Sequence, residues 1–207
     1  MKLYYSPGAC SLGIHFLLEE IGAPYEAVPV IIKQGDTLKE AYTRLNPKAK
    51  VPLLERDDGS RLSEFGAICR WLSRTIGADL LAPADLEEEV RSVETLDFIV
   101  GTIHMQGFSR ILRPQKFSPS EADLDWVRAQ GGEIVAKGFA HLSQQLGEAP
   151  FIMGARLSVA DAALLYVLFW GIERARLDLP ANLQAYYARM SARPSVVRVF
   201  RDEGLRG

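Results

Sequence analysis

Residues 2–13, KLYYSPGACSLG, join two kinds of local structure and place a cysteine at the seam. Lys2 to Tyr5, with its apolar run Leu3-Tyr4-Tyr5, reads as a strand, and Ser6-Pro7-Gly8 stops it. A helical pattern then runs from Ser11 to Ile21, closed by Gly22 with Pro24 beyond. Cys10 falls at the first turn of that helix. Backbone N–H groups there lack intrahelical partners and the helix dipole is positive, so a thiolate is favoured. The other account of Cys10 is a small apolar residue buried at a tight turn. Ser11, its neighbour, can cap the helix or donate to a bound anion. A dithiol redox site needs a second cysteine three residues on, but position 13 is Gly13. Cycling within the motif is excluded; a mixed disulfide with a small thiol is not.

Outward from this seam, strand and helix signals alternate. Residues 25–32 are rich in β-branched side chains and read as a second strand. A short helix over 38–45 ends at Asn46-Pro47. Two short runs, 52–56 and 61–63, flank Asp57-Asp58-Gly59-Ser60, a hairpin signal. Over 64–76 Phe65, Ile68, Leu72 and Ile76 share a helical face, and Gly77 is the stop. The order is βαβ followed by αββα. Beyond Ala78 strand signals vanish, and long helices are expected over 86–111 and 119–146. Ser158 and Asp161 have capping-box spacing and start a helix that is apolar nearly all round, to about residue 173, which belongs at the centre of a second domain. Shorter helices follow Pro180 and Pro194. The pattern predicts an α/β domain over residues 1–77, a linker over 78–86 and an all-helical domain over 87–207.

The 207 residues suffice for one large or two small domains, each with its own core. A net charge of −2 argues against a nucleic-acid or membrane-surface partner recruited by basic charge. The longest apolar stretch, residues 162–170, is far short of the roughly 20 residues a membrane span requires. No basic leader precedes an apolar segment and a small-residue cleavage site, so no secretory signal is expected. Two cysteines, Cys10 and Cys69, make no disulfide framework, and a reducing cytoplasm is the expected location. The three histidines have no metal-ligand spacing.

Two further stretches bear on chemistry. In residues 46–54, NPKAKVPLL, Pro52 opens a strand, where its missing N–H does least harm. A cis bond after Val51 would turn an unpaired backbone edge outward, available to an extended peptide. Lys48 and Lys50 flank this edge, or are simply solvated charges. In residues 62–68, LSEFGAI, Glu64 and Phe65 stand where a strand gives way to a helix. The free amides of that helix start can hold a carboxylate, and the Glu64 side chain can accept from an ammonium. One helix end could thus grip both charged groups of an α-amino acid. The competing account is that Glu64 only complements its own helix dipole.

These stretches, with LSVADAALL (157–165) and RPSVVRVFRDEGL (193–205), fall in one order along the chain. In that order the chain resembles a cytosolic glutathione S-transferase, specifically the bacterial beta class. The resemblance implies a thioredoxin-like N-terminal domain followed by an all-helical C-terminal domain, and a homodimer with glutathione as co-substrate between the domains. It implies that Cys10 and Ser11 lie at the glutathione sulfur. Val51, before a cis Pro52, would pair with the cysteinyl part, Glu64 and Phe65 would hold the γ-glutamyl end, and Lys33 and Lys50 would contact the glycyl end and backbone. Asp97 and His104 correspond to an asparagine and a histidine that the family supplies from its helical domain. Seven residues apart is close to two α-helical turns, placing both on one face with Gly101 between them. A glycine inside a helix costs about 0.8–1.0 kcal/mol against alanine. That points to a close approach by a ligand, or by a neighbouring helix or subunit.

The sequence departs from the family at three points. Phe65 stands where a serine or glycine is common, Asp97 replaces the asparagine, and the lysine usual after the histidine is absent. The reaction implied is attack by the glutathione thiolate on a small apolar electrophile, with His104 assisting. Glutathione-dependent thiol–disulfide exchange through Cys10, and a non-catalytic binding protein, are the alternatives the same fold allows.

Overall fold

The computed structural model describes residues 1–205, which form two compact units. The first comprises Met1–Ala82 with the segment from Met190 onward, the second Pro83–Arg189.

In the first unit β1 (Lys2–Tyr5) is the middle of a mixed four-stranded sheet, order β2-β1-β3-β4. β2 (Glu26–Pro29) runs parallel to it with Lys2 opposite Glu26; β3 (Leu53–Glu55) runs antiparallel with Tyr4 opposite Leu53. β4 (Arg61–Leu62) pairs antiparallel with β3. β2 is shorter than the expected 25–32. It is an edge strand that tolerates Pro29 because the missing N–H falls on the free edge; Val30 N–H still donates to Tyr5 O at 2.7 Å, and the chain then turns through a 3-10 segment at Ile32–Gln34. Side chains alternate across the sheet. Tyr4, Val30, Val51 and Leu53 make one buried cluster with Tyr42 of the short helix α2 (Glu40–Thr43). Helix α1 (Ser11–Ile21) buries its first eight residues and ends at Gly22, whose φ of 72° suits a residue without Cβ. Helix α3 (Phe65–Arg74) buries Phe65, Ile68, Cys69 and Leu72. Burial pushes the Cys69 thiol pKa well up, which keeps that cysteine inert.

The expected 78–86 linker contains one more turn, α4 (Ala78–Leu81), held by the bond from Leu81 N–H to Gly77 O and by burial of Leu81. The last helix, α10 (Pro194–Asp202), belongs to the first unit and not to the helical domain that the pattern assigns it to. Its apolar face, Val196, Val199 and Phe200, is buried, and its polar residues meet acids at the end of α1. Arg193 and Ser195 bind Glu20, and Arg198 binds Glu19 at 2.6 Å. Amphipathicity reveals that a helix has a partner, but not which one.

The second unit is helical throughout, apart from its loops: α5 (Leu86–Asp97), a π-helical stretch Phe98–Phe108, α6 (Ser109–Leu112), α7 (Leu124–Leu146), α8 (Val159–Phe169), a second π stretch Trp170–Arg174, and α9 (Ala181–Ser191), which reaches the boundary. Every residue of α8 is buried, as its all-round apolar sequence requires. Its start carries the expected capping box, Ser158 with Asp161. The π stretch lies against α7 at glycines. A Cβ on Gly138 would come within 2.6 Å of Ile103 Cγ1, and one on Gly131 within 2.7 Å of Gly107 O. A Cβ on Gly101 would meet nothing within 4 Å among the described residues, so packing against them does not explain that glycine. The widened turns also break the 3.6-residue period, and seven residues from Asp97 to His104 fall short of two full turns. Among the described residues no helix is long and apolar enough to cross a membrane.

Candidate active site

The turn between β1 and α1 is closed by its own hydrogen bonds. Ala9 N–H donates to Ser6 O at 2.9 Å, Leu12 N–H to Ala9 O at 3.0 Å, and Gly13 N–H to Cys10 O at 3.1 Å. Cys10 is the N-cap residue, half-buried, with helical φ and ψ of −59° and −23°. Its Sγ donates to Val51 O at 3.5 Å. The Val51-Pro52 bond is cis and both residues are buried. The structure therefore brings Cys10, Val51 and Pro52 together across 41 residues of sequence.

Ser11 is placed differently from its neighbour. It is fully buried, and its hydroxyl accepts from Ser6 N–H at 3.2 Å and donates to Ser6 O at 3.3 Å. The Ser6 hydroxyl in turn accepts from Ile32 N–H at 3.2 Å. Ser11 thus ties the two ends of the cysteine turn, whereas Cys10 is the partly exposed member of the pair.

The 46–52 segment is held from behind. Tyr42 OH and Asn46 Nδ2 both donate to Lys50 O, each at 2.7 Å, while the Lys50 side chain stays exposed. Burial pushes the Tyr42 phenol pKa up to about 12, so it remains a donor at neutral pH. At the start of α3 Glu64 is extended, φ −109° and ψ 136°, with Phe65 the first helical residue. The Glu64 carboxylate accepts from Lys48 Nζ at 2.7 Å. A carboxylate at this helix start does bind an ammonium here, although the partner is a lysine of the same chain. Lys33 is exposed in the Ile32–Gln34 turn, next to the backbone that Ser6 holds.

Asp97 and His104 belong to the second unit. Asp97 is exposed at the end of α5. His104 is half-buried in the π stretch, its Nδ1 3.2 Å from Tyr166 OH and its ring edge-on to Trp170 at 4.7 Å between centroids. Tyr166 and Trp170 are buried, so the imidazole is fixed by a phenol and an indole. Sequence reasoning missed Tyr166. Its signal was the lone hydroxyl-bearing side chain in a helix that is apolar beyond Asp161. It also missed His15 and Glu203, whose Nδ1 and Oε1 meet at 2.9 Å, both side chains completely buried, beneath the cysteine turn. Among the described residues no group of three or more His, Cys, Asp or Glu side chains is gathered for a metal.

A thioredoxin-like N-terminal domain carrying a cysteine at a helix start beside a cis proline, with a helical domain after it, defines a class of proteins that work on small thiols. The comparisons give the family. Residues 8–75 match the family model "Glutathione S-transferase, N-terminal domain", and residues 125–189 match "Glutathione S-transferase, C-terminal domain". Glutathione S-transferase GstA of Escherichia coli O157:H7 is 34% identical, with 100% of each chain covered. The bacterial beta class glutathione S-transferase of Sphingomonas chungbukensis has a similar structure, with a TM-score of 0.84, 32% identity and 100% of both chains covered. A sphingomonad glutathione S-transferase complexed with glutathione matches with the same values. The chain belongs to the glutathione S-transferase family and is a transferase; exchange-only and binding-only readings are not favoured.

Proposed function

We propose that this transferase activates the thiol of glutathione and joins its sulfur to an electrophilic carbon of a small apolar compound, a detoxifying reaction in the cytoplasm. The carrying observation is the meeting of Cys10 Sγ and Val51 O at 3.5 Å beside cis Pro52. It sets a thiol against backbone that an extended tripeptide can pair with. In this reading Val51 pairs with the cysteinyl residue, the helix start at Glu64 and Phe65 takes the γ-glutamyl carboxylate and ammonium, and Lys33 and Lys50 attract the glycyl carboxylate. Cys10 hydrogen-bonds the bound sulfur and Ser11 holds the turn. The glutathione thiol gives up its proton to water, its sulfur forms the new C–S bond, and a leaving group departs with the electron pair of the broken bond. The glutathione-bound relative supports the co-substrate. Two free cysteines, Cys10 and Cys69, agree with a reducing location. Leu86 and Val90, one turn apart on α5 and 73% and 51% exposed, agree with a homodimer.

The test is a pair of assays on wild type and Cys10→Ala, one with an aryl halide and one with a small disulfide, each with glutathione. Conjugation should persist at a substantial level in the variant, because the attacking sulfur belongs to glutathione, and any thiol transfer should vanish. A wild-type protein that reduces the disulfide but never consumes the halide would refute conjugation.

A further inference from the structure

Glu203 follows α10 and has a completely buried side chain. Both of its oxygens have partners close to the start of α1. Oε2 accepts from Gly8 N–H at 2.7 Å, and Oε1 is 2.9 Å from Nδ1 of His15, itself completely buried. A carboxylate only accepts, so Nδ1 carries the hydrogen. His15 Nε2 is buried with no hydrogen-bond partner among the described residues, and the ring lies against Tyr5 and Tyr25 with centroids 5.1 and 5.6 Å away. The Glu203 contact is therefore the polar contact that orients this imidazole. Gly8 sits two residues before Cys10 with φ 63°, so Glu203 grips the turn at its left-handed point.

We propose that Glu203 is a positioning residue for Cys10. A charge-assisted bond to Gly8 N–H, braced by His15, fixes the turn from which the thiol reaches Val51 O. The site is thus incomplete without Glu203, 195 residues from Gly8. Docking of α10 is secured separately, at the other end of α1, by Arg193 and Ser195 on Glu20. That separation supplies a control.

The experiment measures iodoacetamide alkylation of Cys10, glutathione KM and kcat, and thermal melting in the full chain. Cys69 is fully buried, so alkylation reports Cys10. In Glu203→Ala the loss of one charge-assisted bond should raise glutathione KM about tenfold with a smaller change in kcat, and the released thiol should alkylate at least about threefold faster. Glu203→Gln keeps an oxygen for Gly8 but loses the charge and sets an NH2 against His15 Nδ1, so it should fall between wild type and Glu203→Ala in both. Arg193→Ala should lower the melting temperature without moving either. Should Glu203→Ala fail to fold, Glu203→Asp, one methylene too short to reach both partners, is read instead. Unchanged or slower alkylation in the Ala or Asp variant, or an equal effect of Arg193→Ala, would overturn the proposal. The KM arm rests on the proposed glutathione function, whereas alkylation does not. A wild type that binds no glutathione would sink that function and leave this test standing.

Discussion

Asp161 offers the sharpest test of how the helical unit is held. Its side chain is fully buried and takes four hydrogen bonds: Ile152 N–H at 2.9 Å and Tyr186 OH at 2.7 Å on Oδ1, Ser158 N–H and Ser158 Oγ at 2.8 Å each on Oδ2. Burial pushes its carboxyl pKa up, while the bonds from Ile152, Tyr186 and Ser158 pull the other way. A helix cap alone is worth about 0.5–2 kcal/mol. Asp161→Ala removes more than a cap, because Ile152 N–H, Ser158 N–H and Tyr186 OH are all left buried without this acceptor. Each such group costs about 1–3 kcal/mol, but neighbouring losses do not add fully, and the variant no longer buries a carboxylate. The expected net loss is about 3–5 kcal/mol, the range for breaking a buried charged network. For a chain of this size each kcal/mol lowers the melting temperature by about 2–4 °C, so the drop should be at least about 6 °C. Urea and thermal unfolding followed by circular dichroism measure it, with glutathione affinity of the folded fraction as companion. A loss below about 1 kcal/mol would mean that the network does not act as a unit.

Glu64→Ala should weaken glutathione binding by about 1.5–3 kcal/mol if the carboxylate takes the ligand ammonium. Its exposed pair with Lys48 contributes little to the fold, so melting should hardly change, and unaltered calorimetric affinity removes Glu64 from the site. Acid should undock α10. For Glu20 burial raises the carboxyl pKa, but the bonds from Arg193 and Ser195 outweigh it, and the net position lies below the usual 4.5. A folded pKa below the unfolded one gives stability that is present above about pH 4.5 and is lost as pH falls through the folded value. Glu20→Gln should therefore flatten the acid limb of stability, and an unchanged slope counts against the pairing. Gly138→Ala should destabilise by about 1–3 kcal/mol through its clash with Ile103. Gly101→Ala, which meets nothing, should stabilise by up to about 1 kcal/mol of helix propensity. A matched effect of the two substitutions would contradict the packing described.

What could be read in the sequence follows from how far each cause acts along the chain. β1 over Lys2–Tyr5 and α1 over Ser11–Ile21 match the pattern reading residue for residue, since a Pro-Gly stop and a glycine cap act on their immediate neighbours. The capping box was visible for the same reason, with Ser158 and Asp161 three residues apart. The other partners of Asp161 were not, because Ile152 and Tyr186 lie 9 and 25 residues away. The π stretch stayed hidden since a 3.6-residue pattern does not register an extra residue per turn until the packing against Gly131 and Gly138 demands it. The candidate site divides in the same way. Cys10 and Glu64 announce themselves at helix starts, and the Val51-Pro52 motif names itself. The groups that hold them, Tyr42 and Asn46 behind Lys50 and Glu203 behind Gly8, were ordinary polar residues in the sequence. Glu203 is the extreme case. After a run of charged residues an acid reads as solvated charge, and only its complete burial against His15 and a backbone N–H distinguishes it. A buried carboxylate with both oxygens paired is costly to retain without a task, and the group nearest to it in the turn is the one that leads to Cys10.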